Sequence, residues 1–253
     1  MKNSPAFISS LRNELIGSGL ILLVWSLVSL AYPMYIIPSP VEVIEGAIKN
    51  PPQDFAHHAF ITLFRVAVGF VLSLVVGTFL GSAAYIKKWG GQLNALMLSL
   101  QVLPGTVLGV IFLLVFGLGS AAPILLITFM VLPTLAVNTY NGLFSANKQL
   151  EEYLMTLGSK KSNLFKLVYL PVLVPVLQSN LTLGFSLGVK VVVLGEFIGS
   201  QDGLGYLLNT ARIFLNMQEV FLYVAVLMAF TLAFQAAASL LFSTFFRNYF
   251  FAS

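Results

Sequence analysis

Apolar and polar positions come in long blocks along this chain rather than in short alternations. Six apolar runs, Leu15 to about Ile37, Ala59 to Ile86, Leu93 to Phe116, Ala122 to Phe144, Val172 to Ile198 and Val220 to about Phe242, are separated by polar segments. At ~1.5 Å of rise per residue, each run is long enough for a helix to cross a ~30 Å hydrocarbon core. The pattern predicts an all-α integral membrane protein with about six transmembrane helices, built as a single domain over residues 1–253. The first run, behind Lys2 and Arg12, exceeds the apolar core of a signal peptide, and no clear small-x-small cleavage site follows it, so it reads as the first span.

The breaks between runs carry their own chemistry. Pro38-Ser39-Pro40 ends the first run, because proline has no amide proton and restricts the residue before it. Ser39 is placed to cap a short amphipathic helix near 39–48, with Glu42 and Glu45 in its first turns where the helix dipole favours acids. His57 and His58 fall at the start of the second run and read as residues at the water interface. Within that run Gly77 and Gly81 lie on one helix face, where small residues let a neighbouring backbone come close. Pro104 interrupts the third run and is expected to kink or unwind it, and Pro133 sits in the middle of the fourth. A glycine-rich turn, Gly199 to Gly205, leads into a second short surface helix near 205–217.

Composition narrows the function. With 58% hydrophobic and 9% charged residues and a mean hydropathy of +0.93, the chain is far from a soluble domain. Cysteine is absent and the two histidines are adjacent with no further partner, so no metal site is expected. Basic residues are spread through short interhelical loops, which argues for membrane topology and against nucleic acid. The glycine-rich turn has no Lys-Ser or Lys-Thr after it, and no Gly-x4-Gly-Lys-[Ser/Thr] occurs, so the chain holds no phosphate loop.

Charge also predicts orientation. With the N-terminus inside, nine bases (Lys2, Arg12, Lys87, Lys88, Lys148, Lys160, Lys161, Lys166 and Arg247) face the cytoplasm, against Lys49 and Arg212 outside. Both termini are then cytoplasmic and both short helices external. Three charges remain within spans: Arg65, Lys190 and Glu196. A charge near a helix centre costs ~2.5–3.5 kcal/mol on insertion scales, so such groups face protein or water. Arg65 and Glu196 stand at similar depth, which allows an interhelix ion pair or snorkelling. The other reading gives Arg65 or Lys190 a central cavity and an anionic or polar solute.

One polar island, Glu151 to Pro171, is longer than a simple turn requires. Leu150, Tyr153, Leu154 and Leu157 form an apolar stripe on a short helix, with Glu151 and Glu152 off it. Gly158 suits the left-handed residue that ends such a helix. Ser159 or Ser162 can cap a second helix, Asn163 to Leu170, before Pro171 turns the chain back into the bilayer. The expected product is a helix-turn-helix knob, with an amphipathic loop on the lipid surface as the plainer alternative.

The island resembles a known motif. Glu152-Tyr153-Leu154-x3-Gly158-x9-Val168-x-Leu170-Pro171 has the spacing of the EAA loop of ABC importer permeases, Glu-Ala-Ala-x3-Gly-x9-Ile-x-Leu-Pro, with Tyr153 and Leu154 in place of the alanines. The resemblance covers nearly the whole chain and points to the nitrate/sulfonate/taurine branch, through Ile37-Pro38-Ser39-Pro40, Thr62-Leu63-Phe64-Arg65, Leu103-Pro104, Asn138 to Gly142, and Gly195-Glu196-Phe197-Ile198-Gly199 through Tyr206. It implies the type I ABC importer permease fold with cytoplasmic coupling helices, in a bacterial inner membrane. It further implies a second permease subunit, which a single permease type would make a homodimer, two ATPase subunits that bind ATP and magnesium, and an external substrate-binding protein. This chain itself would be non-catalytic and bind no cofactor. Under that resemblance Glu151, Glu152, Leu154, Leu157, Gly158, Ser159, Leu164, Phe165, Leu170 and Pro171 form the part that docks on the ATPase. Sulfonates, taurine, nitrate, bicarbonate and thiamine-precursor pyrimidines are all carried by permeases of this appearance. A transporter driven by an ion gradient is the main rival, but it calls for an inverted repeat and buried coupling acids, and only Glu196 lies in a span, near its end. A scaffold subunit is the other.

Overall fold

The computed structural model describes residues 5–245, all helix and connecting turns, with no strand among them. Lys2 and Arg247, used above for orientation, lie outside the described residues, as does the side chain of Arg12. Helix α1 runs Pro5–Ser29, and the chain then turns through 30–37 instead of remaining helical to Ile37. Pro33 explains the early stop: it has no N–H for the carbonyl of Ser29 and disfavours helical backbone at Tyr32. Trp25 Nε1–H reaches the Pro38 carbonyl at 2.8 Å and ties the turn to α1. Ser39 then caps α2 (Pro40–Lys49) in a full capping box: its hydroxyl accepts from the Glu42 N–H and its own N–H donates to the Glu42 carboxylate. The Ser39 backbone bond, then its side chain, hold the Glu42 carboxyl below the ordinary range.

Helix α3 (Phe55–Ile86) is a single long span. The third apolar run is two helices: α4 (Gly90–Gln101) and α5 (Gly105–Phe116) meet at an 81° bend. Pro104 sits at the break in extended backbone, as a residue that cannot donate to the preceding turn. Helix α6 (Ala121–Phe144) continues through Pro133 without interruption. The polar island forms α7 (Lys148–Thr156) and α8 (Lys161–Leu164). A wide π turn, Phe165–Tyr169, joins α8 to α9 (Leu170–Gly199) as one helix of 39 residues. The expected second knob helix therefore does not end at Leu170, and Pro171 does not turn the chain. It lies in the first turn of α9, and the Leu170 N–H reaches back to the Phe165 carbonyl, leaving the wider turn to absorb the missing proline donor. Helices α10 (Leu204–Ile213) and α11 (Met217–Phe245) complete the described chain, α10 being shorter than the 205–217 expected.

Among the described residues, four helices are long and apolar enough to cross a membrane, α3, α6, the Lys161–Gly199 helix and α11, or five when the bent α4–α5 pair counts as one. The first of the six runs contributes the apolar stretch Ile16–Ser29 of α1 among the described residues.

Helix α6 is the centre of the packing, held between α3 and α9. Val66 and Phe70 of α3, Leu126, Ile127, Val131 and Leu135 of α6, and Val189 and Val192 of α9 form the core. The outward face of α3 carries Phe64, Val75 and Phe79, more than half exposed and apolar, as lipid contact requires. Gly77 and Gly81 face α6 as their spacing predicts: a Cβ on Gly77 would lie 3.0 Å from that of Leu135, and one on Gly81 would lie 2.9 Å from that of Thr139 and closer still to the Ala136 carbonyl. Gly81→Val is thus expected to push α3 off α6 and cost about 1–3 kcal/mol, the range for overpacked cores. A thermal-unfolding series in detergent checks this, and an unchanged midpoint would show that the contact is soft.

Candidate functional site

Two polar assemblies stand at opposite ends of the Lys161–Gly199 helix, and a third polar set lies between them. At the knob end, α7 is capped by Asn147, whose side chain accepts from the Leu150 N–H at 3.0 Å. Sequence reasoning passed over Asn147, although an Asn three residues before the stripe is a standard cap signal. Gly158 takes φ +70, the Ser159 N–H bonds to the Leu154 carbonyl at 3.0 Å and the Gly158 N–H to that of Met155 at 2.9 Å. Those two bonds are a Schellman ending, and the left-handed residue it needs is why glycine stands there. Neither Ser159 nor Ser162 caps α8; Lys160 occupies the cap position with no side-chain bond.

The knob is polar at its base and apolar at its tip. Glu151 accepts from the Tyr169 hydroxyl at 2.6 Å, which fastens α7 to the π turn. Leu164 is buried beneath it, Leu154, Ser159, Leu170 and Pro171 are half-buried, and Glu152 and Phe165 are exposed. Leu157 is 63% exposed and Tyr153 62%, with Met155 beside them, and open space surrounds Gly158. Solvated residues gain nothing from being this apolar, so the tip has the character of a contact face.

At the other end, Arg65 of α3 and Glu196 of α9 meet at 2.9 Å with both side chains fully buried. The ion pair anticipated from depth is therefore present, inside a larger clamp. Arg65 Nε–H donates to Ser120 Oγ at 3.0 Å, one terminal nitrogen also donates to the Asp202 carbonyl at 3.0 Å, and the other pairs with the Asp202 carboxylate. Glu196 accepts in addition from Thr62 Oγ1 and, at 2.9 Å, from the Gly205 N–H. Thr62 Oγ1 in turn accepts from the Leu204 N–H at 2.7 Å, and His58 Nδ1 accepts from the Gly203 N–H at 2.9 Å. His58, expected as a plain interface residue, thus holds the turn and stacks on Tyr206. Gly203 has φ +101 and presses on the Glu196 carboxylate, where any side chain would collide. Thr62 and Arg65 were readable as one face by their spacing. Asp202 was not, because nothing local shows which way a turn aspartate faces.

Between these ends, Asn180 of α9 accepts from Asn138 at 2.6 Å and donates to Thr139 at 2.9 Å, joining α6 to α9 by buried and part-buried side chains. Lys190 is not part of any of these sets: it is exposed on α9 and makes no hydrogen bond or ion pair among the described residues. No cluster of three or more His, Asp or Glu side chains suited to a metal occurs among the described residues.

The long apolar helices and the exposed apolar knob describe a membrane-embedded bundle with a contact face at one end. The family model described as "Binding-protein-dependent transport system inner membrane component" matches residues 69–250, and the chain belongs to that family. It is 30% identical over 176 residues to the formylaminopyrimidine transport permease protein ThiX of Halalkalibacterium halodurans, covering 68% of this chain and 69% of that one. Identity to the putative aliphatic sulfonates transport permease protein SsuC of Bacillus subtilis is 28%, covering 74% and 68%, and to the riboflavin transport system permease protein RibX of Chloroflexus aurantiacus 28%, covering 83% and 79%. The fold is similar to a chain of the MetNI methionine ABC transporter in an inward-facing conformation, with a TM-score of 0.65 at 20% identity, over 74% of this chain and 93% of that one. The protein is accordingly a non-catalytic permease subunit of an ABC importer, a family whose members work with a separate ATPase and a substrate-binding protein.

Proposed function

We propose that two copies of this chain enclose the translocation path for a small polar or anionic solute, and that two ATPase subunits, which bind the ATP and magnesium, grip the knobs from the cytoplasm. An external binding protein delivers the solute at the clamp end, with both permease termini on the cytoplasmic side. The observation that carries this reading is the exposed apolar tip around Gly158, rigidly ended by its Schellman turn and continuous through the π turn with the helix that reaches the clamp. A force on the tip then moves a helix that packs on α3, α5, α6, α10 and α11. Switching between access to one side and the other needs two packings biased by a ligand, here ATP on the partner. The similar permeases bear the names of a formylaminopyrimidine, aliphatic sulfonates and riboflavin, so the family resemblance bounds the cargo only to small solutes.

Co-expression with a cognate ATPase and binding protein tests the assembly. A complex with two permeases and two ATPases, whose ATP hydrolysis rises with loaded binding protein, is the expected result. A permease that purifies alone and never stimulates hydrolysis would end this reading.

A further inference from the structure

Among the described residues, Lys190 is a charged side chain well inside a span that neither the knob nor the clamp uses. It lies nine residues before Gly199, the end of α9. At ~1.5 Å per residue that is ~13 Å below the clamp end, close to the middle of a ~30 Å apolar layer and too deep for a four-carbon stem to reach the interface. Its side of the helix is defined by its neighbours. Counting round α9, Ser186 and Phe185 face α11, where Gln235 donates to Ser186 Oγ at 2.8 Å and Phe234 stacks on Phe185. Leu194 and Ile198 face α5, where they approach Gly105 and Gly109. Lys190 and Leu183, two turns apart, fall in the gap between, and both are exposed.

The gap is polar on its α11 side. Thr182, Ser186 and Lys190 follow one another at four-residue spacing, and Gln235 adds an amide from the facing helix. The two hydroxyls donate to α9 carbonyls one turn back and the amide joins α11 to α9, so the charge that is left to the gap is that of Lys190. An unpaired ammonium at this depth is stable only against water, protein acceptors or an anion. We infer that the Lys190 strip of α9 lines the solute path and that Lys190 is the counter-charge for an anionic group on the transported solute, a carboxylate, sulfonate or phosphate. The inference deepens the two-permease reading above and rests on it. It selects anionic cargo from within the small polar solutes, and it gives the permease a charge preference of its own, separate from that of the binding protein.

The absence of cysteine in this chain makes a direct test simple. The assembled complex in detergent, at low ionic strength, carries Leu183→Cys with Lys190 intact, and the permease is read by intact mass after exposure to two thiol reagents. One is the anionic 2-sulfonatoethyl methanethiosulfonate, the other its cationic trimethylammonium-ethyl counterpart, each rate being divided by its rate with free cysteine. A cavity that focuses one sign of charge concentrates the matching ion ~10-fold or more. Leu183→Cys is therefore expected to favour the anionic reagent about tenfold, Lys190→Met to remove that preference, and Lys190→Glu to reverse it. Phe79→Cys, on the lipid face of α3, should react with neither. An unreactive Leu183→Cys, or a preference that Lys190→Met leaves unchanged, overturns the inference. Since every variant is judged in the complex, binding-protein stimulation of ATP hydrolysis separates the cases: if it is present and the thiol result is negative, only the inference falls, and if it is absent the assembly reading falls and takes the inference with it.

Discussion

Arg65→Met is expected to lower the stability of the permease by about 3–5 kcal/mol, the cost of leaving a buried carboxylate without its partner. The size follows from how completely the clamp is desolvated. Both Arg65 and Glu196 have fully buried side chains, so removing the guanidinium strands Glu196 with only the Thr62 hydroxyl and the Gly205 N–H, and releases Asp202 and Ser120 as well. The double variant Arg65→Met/Glu196→Gln should recover part of the loss, because a neutral amide in the same place no longer needs a cation. Thermal unfolding in detergent, read as a double-mutant cycle, measures the coupling. If Arg65→Met melts with the parent protein, the clamp is not what fastens the 200–205 turn. If the double variant is as unstable as the single, the loss comes from packing of the arginine stem and not from charge.

The second large effect belongs to the knob. Gly158→Asp should insert and fold normally, yet fail to hold the ATPase and lose at least nine-tenths of transport. The φ of +70 makes any side chain strained by about 1–2 kcal/mol, and aspartate tolerates that backbone better than most residues. Among the described residues nothing stands within 4 Å of a Cβ placed there, so a first side-chain carbon meets no internal clash. Gly158→Ala separates the two contributions: it carries the strain with almost no bulk, and should keep most of the ATPase bound. Co-purification and solute uptake read both variants, and undiminished uptake by Gly158→Asp would mean that the knob tip is not the docking point.

The blocks of apolar sequence were enough to place α3, α6 and α11, because a span in lipid needs long apolar runs and little else is compatible with them. Ser39 with Glu42 placed the cap of α2, and Gly158 the end of α7, since both signals act within one turn of chain. Prolines were harder. Pro104 breaks its helix by 81° whereas Pro133 leaves α6 unbroken and Pro171 sits in the first turn of α9, and the difference lies in tertiary neighbours and in the upstream π turn, which no local rule specifies. The first helix stopped early at Pro33 inside a run apolar enough to hide it. In the clamp, the Arg65–Glu196 pair could be anticipated from matched depth, but Asp202 and Ser120 join it from turns, and His58 of α3 meets the Gly203 N–H, in a facing set only once α3, α6 and α9 have packed. Lys190 stood out by its charge alone, and its side of α9 became definite when α5 and α11 took the flanks.

The π turn at Phe165–Tyr169 has a rotational meaning. An inserted residue in an α-helix advances everything beyond it by about 100°, one step of a 3.6-residue turn. The knob and the clamp are thus held at an angular offset that this single widened turn sets, like two cranks keyed to one shaft. Were the bulge to tighten into α-helix, α9 would have to rotate as a unit, swinging Lys190 out of its gap and Glu196 away from Arg65 together. The phase of the shaft, and not only its tilt, is therefore a coordinate along which an event at the knob can be felt at the far end of the helix.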